Sequence, residues 1–114
     1  MDKDATVMYT FNGDLIFWFP TFDYYEDYLI VANVIKNEFH SEKIEYHGIT
    51  DIIGYFIINN TYYQFNCVDM LGVEISVKKD LVLDRLDEHY QLINDIFKKS
   101  YKVKKGKNFY NYGN

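Results

Sequence analysis

The stretch that most constrains this chain is Ile52-Ile53-Gly54-Tyr55-Phe56-Ile57-Ile58, seven residues without a charge, closed by Asn59-Asn60. Apolar at nearly every position, it suits a strand covered on both faces better than an edge strand, so the sequence predicts a central strand. Asparagine is the non-glycine residue that best tolerates left-handed backbone angles, and Asn59-Asn60 therefore predicts a tight hairpin turn into a strand over 61–68. Two further strands are predicted near 43–47 and 73–77. In the second of these, Val73, Ile75 and Val77 alternate with Glu74, Ser76 and Lys78, the pattern of a half-exposed strand.

Ahead of this block, Thr-Val-Met-Tyr-Thr-Phe at 6–11 and Leu-Ile-Phe-Trp-Phe at 15–19 are joined through Asn12-Gly13-Asp14, a hairpin signature that Pro20 closes. From Thr21 to Phe39 apolar residues fall at Tyr25, Tyr28, Leu29, Ala32, Ile35 and Phe39, the spacing of an amphipathic helix, with Asp23 and Glu26 matching a capping box. Residues 80–99 predict a second helix with Asp80 as N-cap and a buried stripe of Val82, Leu83, Leu86, Tyr90, Ile93 and Phe97. Beyond Ser100 like charges and turn formers predict a basic, disordered tail at 101–114. The reading is one α+β domain over 1–100, a mainly antiparallel sheet of about six strands with two helices, in the order ββαββββα.

At 114 residues, 48% hydrophobic and 19% aromatic, the chain has the apolar surface to fold without a staple. Cys67 is the sole cysteine, which rules out an intramolecular disulfide and a one-chain thiolate zinc cage, and favours a reducing compartment. Met1-Asp2-Lys3-Asp4 lacks a basic, apolar leader pattern, and no apolar run approaches the roughly 18 residues of a membrane span. The expected location is the cytoplasm.

No catalytic constellation emerges. His40, His47 and His89 have no i, i+4 partner among themselves, and the six glycines are too dispersed for a phosphate loop. Asp51, Asp69 and Asp80 lack the spacing of a calcium loop, and nothing basic flanks Cys67 to activate its thiol. No metal, no cofactor and no enzymatic activity are expected. Folding could bring His40 and His47 near Asp51 or Glu45 as a general acid/base pair, and a small enzyme or ligand-binding domain using His40, His47 and Asp51 in a sheet–helix cleft is an alternative reading.

Charge is more informative. Residues 1–97 hold all 17 acidic and six basic residues, a net −11, whereas the last 17 residues hold six lysines and no acid. At about 100° per residue, Asp80, Asp84, Asp87, Glu88, Gln91 and Asp95 share one stripe of the second helix, opposite its apolar stripe. Lysines that would pair with these acids at i+4 are nearly absent, and unpaired like charges on one face cost stability. On the first helix Ile30 and Val34 point toward the side of Asp23, Asp27 and Glu38, either as core or as the apolar anchor of an acid-rimmed interface. The Lys-rich, aromatic tail has the composition of a nucleic-acid-binding arm, although the acidic body would repel phosphates, so no direct nucleic-acid binding is expected.

In size and charge the chain resembles the immunity proteins of bacterial contact-dependent growth inhibition and related polymorphic toxin systems, the Asp80, Asp84, Asp87, Glu88, Asp95 stripe being the part that fits. The resemblance implies a cytoplasmic protein that neutralises a basic, nuclease-type toxin domain. The candidate partner-binding residues are those five with Asp23, Asp27, Ile30 and Val34. Two other readings are a phage-type nucleic-acid mimic using the same stripe, and a homo-oligomer pairing an exposed edge at 73–77.

Overall fold

Two asparagine-based turns set the sheet. In the computed structural model, which describes residues 6–39, 44–47, 52–68 and 72–112, Asn12 and Gly13 take φ of 51° and 80°, and Asn59 and Asn60 take 52° and 63°. Positive φ at both central positions defines the turn whose twist matches a hairpin. The first turn joins β1 (Val7–Phe11) to β2 (Asp14–Trp18) and the second joins β4 (Ile52–Ile58) to β5 (Thr61–Val68). With β3 (Ile44–His47) and β6 (Gly72–Lys78) they form one antiparallel sheet in the order β1-β2-β6-β5-β4-β3. The expected α+β class with an antiparallel sheet is the architecture found.

β6 lies inside the sheet, between β2 and β5. Residues 73–77 therefore offer no free edge, which corrects the oligomerisation surface expected there; the edges are β1 and β3. β4 is also interior, but only alternate residues are buried, and Ile53 is 38% exposed. Expected coverage on both faces is corrected to coverage on one. Leu15, Phe17, Phe56, Phe65, Val73, Ile75 and Val77 face the helices and form the core. The opposite face carries Tyr9, Ile16, Ser76, Gln64 and Tyr55 in one cross-strand row, in which Ile16 and Ser76 are buried and Tyr9 is exposed.

Helix α1 (Tyr25–Glu38) starts later than expected. Its N-cap is Tyr24 in extended geometry, and the Asp27 carboxylate accepts the Tyr24 N–H at 3.1 Å and the Asp23 N–H at 3.0 Å. Asp27 thus fills the reaching-back position assigned to Glu26, satisfying donors that the first turn leaves open. Tyr28, Val31, Ala32 and Ile35 enter the core, while Tyr25 and Leu29 from the expected stripe are exposed.

The expected second helix is three segments: a turn of helix α2 (Lys79–Val82), a 3₁₀ turn at Leu83–Arg85, and α3 (Leu86–Tyr112). Helix α3 runs through the segment expected to be disordered. Ile93, Ile96 and Phe97 are fully buried, and Tyr101 packs against the core. Phe97 meets Phe19 edge-on at 5.2 Å and Phe22 at 5.6 Å, so the β2–α1 connection closes over α3 through aromatic contacts worth more than their area alone.

That connection requires a glycine. Phe19 N–H donates to the Val73 carbonyl at 3.0 Å, and Val73 N–H to the Phe22 carbonyl at 2.8 Å. Gly72 sits at φ 86°, and a Cβ there would come within 2.3 Å of the Phe22 carbonyl oxygen. Both its angle and the approaching backbone exclude a side chain.

Candidate functional site

Asp80, Asp84, Asp87, Glu88, Gln91 and Asp95 are all exposed. The 3₁₀ turn removes them from the single helical stripe the sequence predicts, since its residues advance about 120° rather than 100°. What remains is an exposed anionic run down α2, the turn and the first half of α3, with Asp87, Gln91 and Asp95 one above the other on α3. Arg85 is the one cation between Asp80 and Asp95.

The other four candidate residues do not belong to this run. Asp27 is buried, already accepts two backbone N–H groups, and receives Lys104 Nζ at 3.2 Å. Ile30 and Val34 are buried as well, correcting their use as an exposed anchor; they line a groove between α1 and α3 together with Asn33, Glu38 and Val103. Only Asp23 is exposed. Because Asp27 holds Lys104, this cluster lies about 25 Å along α3 from Asp87, at roughly 1.5 Å per residue. One partner patch cannot be built from both groups on a single helix end.

Lysines of the basic segment turn onto α1. Lys104 donates to the Thr21 carbonyl as well as to Asp27, and its ammonium stands 5.0 Å from the Phe22 ring centre. Lys99 lies 3.5 Å from Glu38 and 5.6 Å from the Phe39 ring centre. Thr21 is at φ 68°, sparsely populated for a β-branched residue, with its carbonyl fixed by Lys104.

His40 and Asp51 lie outside the described residues; His47 is placed on edge strand β3. Cys67 is buried in the core, as its strand context predicts. Among the described residues no group of three His, Cys, Asp or Glu side chains is placed to hold a metal, and no helix is long and apolar enough to cross a membrane.

One polar site escapes a sequence reading. His89 is 6% exposed, and its Nδ1 lies 2.5 Å from the Tyr63 hydroxyl of β5. Burial raises the Tyr63 phenol to about 12, against the opposing pull of Arg85 and of a hydrogen bond with Thr61, so the phenol stays protonated. Burial also lowers the His89 pKa, reinforced by Arg85 and opposed by Glu88 and Asp84. A neutral phenol donating to Nδ1 leaves the neutral ring's own proton on Nε2, and Nε2 has no partner among the described residues. Beside the pair is a cavity of about 100 Å³ lined by Asn59, Thr61, Tyr63, Arg85, Glu88 and His89. The signal in the sequence is periodic: Leu86, His89, Ile93, Ile96 and Ser100 share one helix face.

The contrasting buried polar contact is satisfied. Asn94 Oδ1 accepts both the N–H of Thr6 at 2.9 Å and its hydroxyl at 2.8 Å, tying the start of β1 to α3. No protein-family model, curated protein or solved structure matches this chain.

Proposed function

We propose that this protein is a cytoplasmic inhibitor of the immunity type, binding a basic toxin domain through Asp80, Asp84, Asp87, Glu88 and Asp95. The observation that supports this reading is that all five carboxylates are exposed along one run, while Lys99 and Lys104 of the same chain are engaged on α1. Such a run focuses negative potential, speeds encounter with a basic surface and disfavours binding to nucleic acid directly. The partner is then occluded by the surface it has been steered to.

The test is kinetic. A basic, nuclease-type toxin domain is titrated against the wild type and against a D80N/D84N/D87N/E88Q/D95N variant. Wild-type association should fall steeply between low and physiological salt, and the variant should associate at least about tenfold more slowly. Equal association of the two proteins would remove the acidic run from the interface.

A further inference from the structure

We propose that β1 is a self-association edge, through which two copies of this chain pair antiparallel and join their six-stranded sheets into one. The proposal stands apart from the acidic run, which lies on other elements.

β1 ends the sheet, with β2 on one side and no described strand on the other. The two-residue turn at Asn12-Gly13 closes on Phe11 and Asp14, which makes that pair a hydrogen-bonded one. Alternation along the ladder then turns the N–H and C=O of Tyr9 and Val7 toward Ile16 and Trp18, and those of Met8 and Thr10 outward. All five residues of β1 are exposed, Val7, Met8, Tyr9 and Phe11 by 39–62%. The Tyr9 hydroxyl donates to Glu74 of β6 at 3.3 Å, so its ring lies along the sheet and leaves the edge clear. Edges are ordinarily blunted by a lysine, a proline, a bulge or an inward charge. Val-Met-Tyr-Thr-Phe has no charge and no proline, and its register with β2 is unbroken.

A second copy is the occupant that fits this edge. With the pairing centred on Tyr9, Met8 stands opposite Thr10 of the second copy and Thr10 opposite its Met8, so each outward N–H meets an outward C=O. Tyr9 then faces Tyr9 as a non-hydrogen-bonded pair, the closer kind, and Val7 faces Phe11 on either side of it. Charge favours the same seam. The chain has a net charge of −5, and β1 lets two copies meet with no carboxylate opposite another. The other edge, β3, contains Glu45 and His47. Pairing β1 with β1 is isologous and closes at two copies, whereas β1 on β3 would run on into a fibre. The exposed parts of the four large side chains bury on the order of 300–400 Å² per copy, less than the roughly 800 Å² per partner of a standard interface. The dimer is therefore weak, with a dissociation constant of roughly 10 μM to 1 mM.

The full chain is followed by sedimentation equilibrium from about 5 μM to about 1 mM, and by amide hydrogen exchange at both ends of that range. A monomer–dimer equilibrium is expected. Exchange at Met8 and Thr10 should slow as concentration rises, and exchange at Tyr9, already bonded to β2, should not. Thr10→Pro removes an outward donor that an edge strand can lose and should weaken the dimer about tenfold or more. Tyr9→Glu sets two carboxylates directly opposite each other and should weaken it as well. A monomer throughout, a dimer whose Met8 and Thr10 amides exchange at the monomer's rate, or an undiminished dimer in either variant with a native near-UV spectrum would each overturn the proposal. So would protection of Met8 and Thr10 that appears only when a toxin domain is added to a chain otherwise monomeric, because the edge would then take that partner's strand.

Discussion

The two halves of α3 handle charge in opposite ways. In its first half the acids Asp87, Glu88 and Asp95 are exposed, on the side away from Ile93 and Phe97. In its second half Lys99 and Lys104 reach back to Glu38 and Asp27 on α1, and Lys105 stands 5.6 Å from the Tyr101 ring centre. The lesson is that a chain of net −5 need not neutralise its own acidic patch. Its basic segment holds helix to helix at one end, and the anionic run at the other end stays available.

Removing the second half should have the largest effect. Ending the chain at Ser100 takes away Tyr101 and Lys104 and uncovers Ile30 and Val34. An expected loss of about 3–5 kcal/mol would show in urea unfolding as a midpoint shift well outside error. A truncated protein as stable as the full chain would mean that the basic half does not hold α1.

Breaking the latch at one atom is gentler. Asp27→Ala deletes the cap acceptor of two backbone N–H groups and leaves the half-buried Lys104 facing none of its former carboxylate. It should cost about 1–3 kcal/mol. Lys104→Met, which keeps the apolar stem over Phe22, should cost less, and a reversed order between the two would show that the cap is unimportant.

Acid should reveal His89. Its pKa is lowered in the folded protein, so below about 6.5 the unfolded chain binds the proton first and unfolding takes it up. Stability contributed by the neutral ring is therefore full above that pH and declines as pH falls toward the folded value. Arg85 discourages protonation, and Glu88 and Asp84 moderate it. In guanidinium titrations from pH 7.5 to 5.5, His89→Gln should lose less stability than the wild type over the same interval.

Neutralising the first half should matter least for folding. The five-residue variant D80N/D84N/D87N/E88Q/D95N should unfold within about 1 kcal/mol of the wild type, because exposed charges on one face contribute little and repel each other. A large destabilisation would recast the run as a structural feature rather than a binding one.

Legibility of the molecule in its sequence follows the range of the interactions. Asn12-Gly13 and Asn59-Asn60 announce their turns through local backbone preference, and the strands beside them fall within a residue or two of where alternation puts them. Strand order is not local: nothing in Val73 to Val77 says that β2 will pair with it from the far end of the chain. Periodicity ends the predicted helix at residue 99 because like charges and turn formers follow, whereas Asp27, Thr21 and Phe22 give Lys104 its partners. The acidic run was visible as composition, but the 3₁₀ turn that divides it was not. His89 carried no motif, and only its distance from Leu86, Ile93 and Ile96 marks it as interior.

The sheet order carries a kinetic consequence. β3 to β6 are neighbours in sequence and in space, so each pairing closes a short loop. Joining β2 to β6, with Leu15 opposite Val77, closes a loop containing α1 and three strands. Among the sheet pairings that closure carries the largest loop-closure entropy, and the seam between the N-terminal hairpin and the meander is where the search for the native state is expected to be slowest. Stopped-flow refolding of Leu15→Ala should then be slowed, and an unchanged refolding rate would place the seam after the barrier.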